Sequence, residues 1–311
     1  MKGVTNKKIQ VCINPHFDAV ALWIGSWGGA DSPCDISRGV HAAKRGVPRL
    51  LDLFERNGIS DKVTWGVTGH AMESFPKAAQ MIIDSGAEIG LHGYLHENPI
   101  AMTREQEAAV LDKTISVIEK MSGKKPVGYM APWWELSKST VELLNERGFL
   151  YDSSLMEDDY HPHYLRVGDS WTKVDYTKNA EDWMKPWIPG EKVDMVEIPC
   201  SWHLDDAPPM LFVKASANSH GWITGSQLEE IWMDQFDWVY RHFDYAIFPI
   251  CIHPDASGHP HVLVALERMI DHMRKHEGVE FCTFETMAKT FREMCPFGSG
   301  KDEEIGGPQG L

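Results

Sequence analysis

The sequence predicts an α/β fold, a distorted (β/α)7-type barrel with long decorating loops. Short apolar or β-branched runs alternate with stretches of helical periodicity through the first half, the pattern of parallel strands joined by helices. His16 and Asp18, then His92 and His96, then His253, each follow directly on a strand-like run, and the C-terminal ends of strands are where such barrels carry their chemistry. A length of 311 residues also suits an α/β barrel folding as one domain.

Lys8 to Ile13 reads as the first strand, Val47 to Asn57 as a helix ending near Gly58, and Lys62 to Val67 as a second strand. Phe75 to Ser85 is then a helix stopped by Gly86, and Ala87 to Leu91 a third strand. The next helix covers Arg104 to Met121, where Thr103 and Gln106 match a capping box that satisfies two orphan amides at once. Val127 to Ala131 makes a fourth strand and Lys138 to Arg147 another helix.

Regularity fails between Leu155 and Gly225, a stretch rich in Trp, Pro and Asp with one clear strand at Val193 to Cys200. Such long loops usually carry specificity, and those between Trp171 and Trp222 are expected to close over a pocket. A helix capped by Ser226 and Glu229, a strand at Tyr245 to Ile252, a helix at Val262 to His276, a strand at Val279 to Cys282 and a helix ending near Met294 complete seven strands. Residues 1–297 read as one domain. The tail 298–311, with five glycines and one proline, has almost nothing to bury and is expected to be disordered.

Composition narrows the function classes. Hydrophobic residues make up 43% of the chain, yet no apolar run reaches the length of a membrane span. Thirty basic residues against 45 acidic ones give a net charge of −15, which repels nucleic acid and anionic lipid. The start has no apolar leader segment, and the six cysteines are scattered without a C-x-x-C pair. A cytoplasmic protein is expected.

The chemistry gathers at three places. His16-Phe17-Asp18 follows the first strand and His92-Gly93-Tyr94-Leu95-His96 the third. On one helical turn an i, i+4 pair points two imidazoles the same way, and a carboxylate from another strand completes a three-ligand metal site with room for water. The spacing alone is weak, because His272 and His276 share it in a charged stretch that reads as a solvated helix face. His253, in Ile252-His-Pro-Asp255, could protonate a leaving nitrogen; Asp255 could orient it or cap a helix.

At these residues the chain resembles the polysaccharide deacetylase superfamily with its NodB homology domain, and most closely the intracellular peptidoglycan-deacetylase-like branch that includes cyclic imide hydrolases. The likeness runs from about Val11 to Met294. It rests on Ala19-Val-Ala-Leu-Trp23, Gly28-Gly-Ala-Asp-Ser-Pro33, Ile36-Ser-Arg-Gly39, His92-Gly-Tyr-Leu-His-Glu-Asn-Pro99, Ala131-Pro-Trp-Trp-Glu135, Arg166-Val-Gly-Asp-Ser-Trp171 and Ile252-His-Pro-Asp255. It implies a divalent metal, usually zinc, on Asp18, His92 and His96, with His253 as general acid and Trp133 and Trp134 in the wall of the site. Arg38 and Arg166 lie in resembling motifs and are candidates for an acidic group of the substrate.

Two departures from the family pattern stand out. His16 occupies the place of the usual base aspartate, and Met130 that of the arginine which tethers it. His16 could replace the base, serve as a fourth ligand, or mark a site whose reaction has changed. The expectation is therefore a metal-dependent hydrolase of amide-type C–N bonds, resembling N-acetyl amino sugar deacetylases and acting on a small or oligosaccharide-like substrate. Cyclic imide hydrolysis, metal-assisted C–C cleavage and a non-catalytic binding protein are the alternatives. Exposed barrel helices and the resemblance point to a homo-oligomer.

Overall fold

The alternation of strand and helix is realised as a curled, incomplete barrel with helices packed around it. The computed structural model describes residues 7–214 and 223–301. In chain order the first elements are β1 (Lys8–Phe17), α1 (Val20–Gly25), α2 (Pro33–His41), α3 (Val47–Arg56), β2 (Thr64–Val67), α4 (Gly69–Ser74), α5 (Pro76–Asp84), β3 (Glu88–Leu91) and α6 (Arg104–Ser122). There follow β4 (Gly128–Tyr129), α7 (Thr140–Glu146), β5 (Tyr151–Asp152), β6 (His163–Val167), α8 (Ala180–Trp183), β7 (Glu191–Glu197), α9 (Ala207–Met210), α10 (Gly225–His242), β8 (Tyr245–Ile252), α11 (Pro260–Arg274), β9 (Val279–Phe281) and α12 (Phe284–Met294).

The sheet runs β6-β7-β5-β4-β3-β2-β1-β8, with β9 beside the first half of β1. Every pairing along it is parallel except β6 with β7. β1 is buried from Ile9 onward, as a parallel strand covered on both faces must be. Its register against β8 brings Pro15 beside Ile252, so the residues that follow, His16 to Asp18 and His253, emerge at one rim.

Seven parallel strands make the barrel path, as the sequence predicts, but they are not the same seven. β5 belongs to it and is only two residues long, too short to show a period; β9 pairs off the path. The fourth strand shrinks from Val127–Ala131 to Gly128–Tyr129, because Met130 and Ala131 already turn into the rim loop. α10 starts two residues earlier than expected: Thr224 and Gln227 form its capping box, not Ser226 and Glu229. The Thr103–Gln106 box at α6 is present. Within 155–225, β6, α8 and α9 join the expected β7; earlier in the chain, α1, α2 and α4 are too short or too polar for a clear period. Of the tail, 302–311 lies outside the described residues, as does Trp222.

Beneath the rim, Asp152 on β5 and Glu197 on β7 are fully buried neighbours in register. Ser154 Oγ donates to Asp152 Oδ1, and the Ser154 and Leu155 amides donate to Glu197 Oε1. Asp152 Oδ2 and Glu197 Oε2 have no donor among the described residues, a need that one shared proton meets for both. Burial pushes Asp152 up to about 7, and burial together with the Asp152 charge raises Glu197 well above the ordinary carboxylate range. The unfolded chain releases this proton near the ordinary Asp value, so the pair contributes stability at low pH that is lost as pH climbs from about 4 through about 7. Glu197→Gln, whose amide can donate to Asp152, is expected to flatten that decline by up to about 1.4 kcal/mol per pH unit. Denaturant melts across the range check this, and an unchanged slope would contradict the shared proton.

Candidate metal centre and active site

β1 delivers His16 and Asp18 and β3 delivers His92, all buried to within 3% exposure. One ligand atom from each of these three lies within 4.8 Å of the others. His96 is next to this group, its ring 4.9 Å from that of His92. The two histidines are not brought together by a helical turn, as their spacing suggests. Gly93 at φ 67 and His96 at φ 58 break any helix, and the Glu97 carboxylate accepts from the Tyr94 and Leu95 amides to hold a bent loop instead. The left-handed backbone at His96, costly for a residue with a Cβ, is what turns its imidazole back toward His92.

Each imidazole has one nitrogen committed, and that commitment fixes the tautomer. His92 Nδ1 donates to the Met130 carbonyl at 2.7 Å. Ser26 Oγ donates to the His96 carbonyl and accepts from His96 Nδ1. In both rings the lone pair is left on Nε2, the arrangement that orients metal-binding histidines. His16 is the reverse. Asn14 Nδ2 donates to the Thr64 carbonyl, so Asn14 Oδ1 accepts from His16 Nε2 at 2.8 Å and the free lone pair sits on Nδ1. Cys251 Sγ lies 3.7 Å from the same Nε2.

Asp18 has both carboxylate oxygens buried with no hydrogen bond among the described residues, and His92 Nε2 likewise has no partner among them. They stand 3.6 Å apart, too far for a hydrogen bond. Two ligand atoms at zinc distances are separated by about 3.3 Å across a tetrahedral ion. A buried carboxylate and imidazole lone pairs with nothing to bind thus fit a divalent cation. Burial pushes the Asp18 carboxyl up to about 7 and pulls the His92 imidazole down to about 3, with the His253 charge working on both. Burial and the neighbouring imidazoles hold His16 and His96 well below the ordinary histidine value.

His253 is the opposite case. Burial alone would keep it neutral, but Asp205, Asp206 and Asp18 raise it to about 10. Asp206 Oδ1 accepts from Nδ1 at 2.7 Å and Oδ2 accepts from the His253 amide at 2.9 Å, while Ser257 Oγ also donates to Asp206. The orienting carboxylate is therefore Asp206, with Asp205 Oδ1 at 3.6 Å, and not Asp255. Sequence reading missed this pair because Asp205 and Asp206 lie in the irregular loop before α9; a parallel bridge from Asp205 to Cys251 docks that loop on β8. The adjacent D-D pair in an otherwise apolar loop was the available signal.

Above these groups is a cavity of about 210 Å³, walled by Trp27, Trp133, Trp134, Trp202, Leu211 and Val213 and floored by His16, His92, His96 and His253. Both expected tryptophans of the Ala131 loop line it, Trp133 at φ 63 and Trp134 at φ 48. The two arginines do not. Arg38 lies over the Trp23 ring and donates to the Phe212 carbonyl in an adjoining cavity. Arg166 is spent on Glu157 and Asp169, with Trp187 beneath it. His272 and His276, expected on a solvated face, are half-buried beside Asp237.

The polysaccharide deacetylase family matches residues 35–151. A Helicobacter pylori protein described as a peptidoglycan deacetylase is 52% identical over 290 residues, covering 93% of this chain and 98% of that protein. A peptidoglycan deacetylase-like protein of Gibberella zeae is 39% identical over 92% of this chain and 87% of its own length. A crystal structure from Mycobacterium smegmatis, assigned to the polysaccharide deacetylases, superposes with a TM-score of 0.79 at 28% identity, over 94% of this chain and 93% of that one.

One close approach ties the fold to the site. A Cβ on Gly25 would stand 1.8 Å from the Leu95 carbonyl oxygen, so Gly25→Ala must push α1 and the His96 loop apart. The expected cost is about 1–3 kcal/mol of stability together with weaker divalent-metal binding, measured by thermal melts and calorimetric titration. Unchanged values of both would mean that the loop is not held by this contact.

Proposed function

The chain belongs to the polysaccharide deacetylase family, and from that premise we propose that it is a metal-dependent hydrolase of an amide-type C–N bond in a compact substrate, an N-acetylated amino sugar or short oligosaccharide. The observation that carries this is the pairing of an unpartnered buried carboxylate, Asp18, facing the His92 lone pair, with a histidine held charged by two aspartates across the same cavity.

Asp18, His92 and His96 would hold the ion, zinc by their nitrogen and carboxylate donors. When bound, such an ion supplies Lewis-acid polarisation of the scissile carbonyl. The proton work falls to the chain. His16 Nδ1 takes a proton from the attacking water, since its Nε2 is committed to Asn14. His253 Nε2 gives a proton to the departing nitrogen as the C–N bond breaks, and Asp206 keeps that ring aimed while its charge is lost and regained. The tryptophans of the wall keep water out and stack on a sugar or ring face.

Ring-opening of a cyclic imide is the second reading, favoured by the small volume and flat aromatic walls of the cavity. The six cysteines are unpaired, which supports a reducing, cytoplasmic setting, and no helix of the described residues is long and apolar enough to cross a membrane. Residues 1–297 act as one domain in this reading. Trp171, Tyr176, Met184, Trp187 and Ile188 are all more than half exposed on the arm between β6 and β7, and they support self-association of the chain.

His16→Ala is expected to lower acetate release from N-acetylglucosamine oligomers, or imide opening, by about 10²–10⁴-fold while zinc content stays at the wild-type level. Loss of zinc together with activity would make His16 a ligand instead. Full zinc occupancy in the wild-type protein with no turnover of either substrate class would overturn the hydrolase reading.

A further inference from the structure

Away from the barrel rim, the two outer helices flanking β8 meet at a second set of donor atoms. Asp237 lies in the middle of α10, His272 in the last turn of α11, and His276 just beyond that helix. A ligand atom from each of the three lies within 4.8 Å of the other two. His272 Nε2 donates to Asp237 Oδ1 at 2.7 Å, a proton that an ion bound between them would displace to solvent. His276 Nδ1 donates to the His272 carbonyl at 3.0 Å, which leaves the lone pair on Nε2, without a hydrogen bond from any described residue. Phe236 and Tyr240 pack edge-on against the His276 ring at 5.2 and 4.6 Å, and Phe236 against His272 at 5.9 Å. The imidazoles are therefore fixed by apolar neighbours and half-buried, and the ordering that a metal would otherwise impose is already complete.

We propose that Asp237, His272 and His276 form a second divalent-metal site, of zinc class, that ties α10 to α11 and has no part in hydrolysis. Two imidazoles and one carboxylate, with the i, i+4 histidines on one face, suit zinc, cobalt or nickel and disfavour magnesium or calcium. All three side chains are only partly buried, which leaves room for an ion to enter from solvent and for water to complete its shell. Binding to the folded chain alone would stabilise it in proportion to free metal.

The test is calorimetric titration of Zn²⁺ into the chelator-stripped full-length protein, repeated with Co²⁺ to read the ligand-field spectrum. The site is identified by which variants lose a binding event, so the result does not depend on the reading of the rim site. His276→Gln and Asp237→Asn are each expected to weaken one event at least tenfold and to leave hydrolysis unchanged. Asp18→Ala is expected to keep that event and the zinc-induced rise in melting temperature that goes with it. Melts of each variant without metal confirm folding. If no event is lost in either His276→Gln or Asp237→Asn, or if the event they lose is also lost in Asp18→Ala, the proposal is wrong.

Discussion

The carboxylate of Asp18 is the constraint around which the rest is arranged. It is 2% exposed, and neither oxygen receives a hydrogen bond from any described residue. A lone buried carboxylate costs several kcal/mol unless a cation answers it, and the chain answers only partly, with His253 Nε2 at 3.8 Å from one oxygen and His92 Nε2 at 3.6 Å from the other. Both gaps exceed a hydrogen bond. The fold holds this arrangement open because the Asp18 backbone follows directly on a strand paired to β8 from Lys8 to Pro15 and to β2 at His16 and Phe17. The side chain cannot retreat to solvent without breaking the barrel's central register.

From that charge the division of labour among the histidines follows. His92 and His96 have Nδ1 tied to a carbonyl and a hydroxyl, His16 has Nε2 tied to an amide oxygen, and His253 has Nδ1 tied to a carboxylate. Neutral partners leave a ring neutral with one lone pair; a carboxylate partner makes it a cation. Four imidazoles within one rim thus acquire different chemistry without any difference in residue type. Met130 helps by what it is not: its apolar side chain lies against Gly66 and Gly90, and at Gly66 it is beside His16.

Much of this was legible in the sequence. Long elements with clear periods, such as α6 and β8, fell within a residue or two of their expected bounds, because their burial pattern is continuous. Strand-end placement alone brought Asp18, His92 and His253 to one rim. What stayed hidden was set by contacts remote in sequence. β5 owes its two residues to pairing with β4 and β7 and has no pattern of its own. The His92–His96 loop owes its shape to left-handed backbone and to Glu97, where spacing suggested a helix. Asp206 reaches His253 across 47 residues through an irregular loop, while the nearer Asp255 was the natural guess. Arg166 shows the reverse error, a motif residue spent on holding its own loop.

The central claim is that the rim is a metal centre built on Asp18, and anomalous diffraction from zinc-loaded crystals at the zinc edge tests it most directly. The account predicts a full-occupancy anomalous peak contacting Asp18, His92 and His96, with His16 Nδ1 facing the open side of the ion and His253 still on Asp206. Absence of a peak among these side chains at saturating zinc, or a peak bound by His16 with Asp18 turned away, would contradict it.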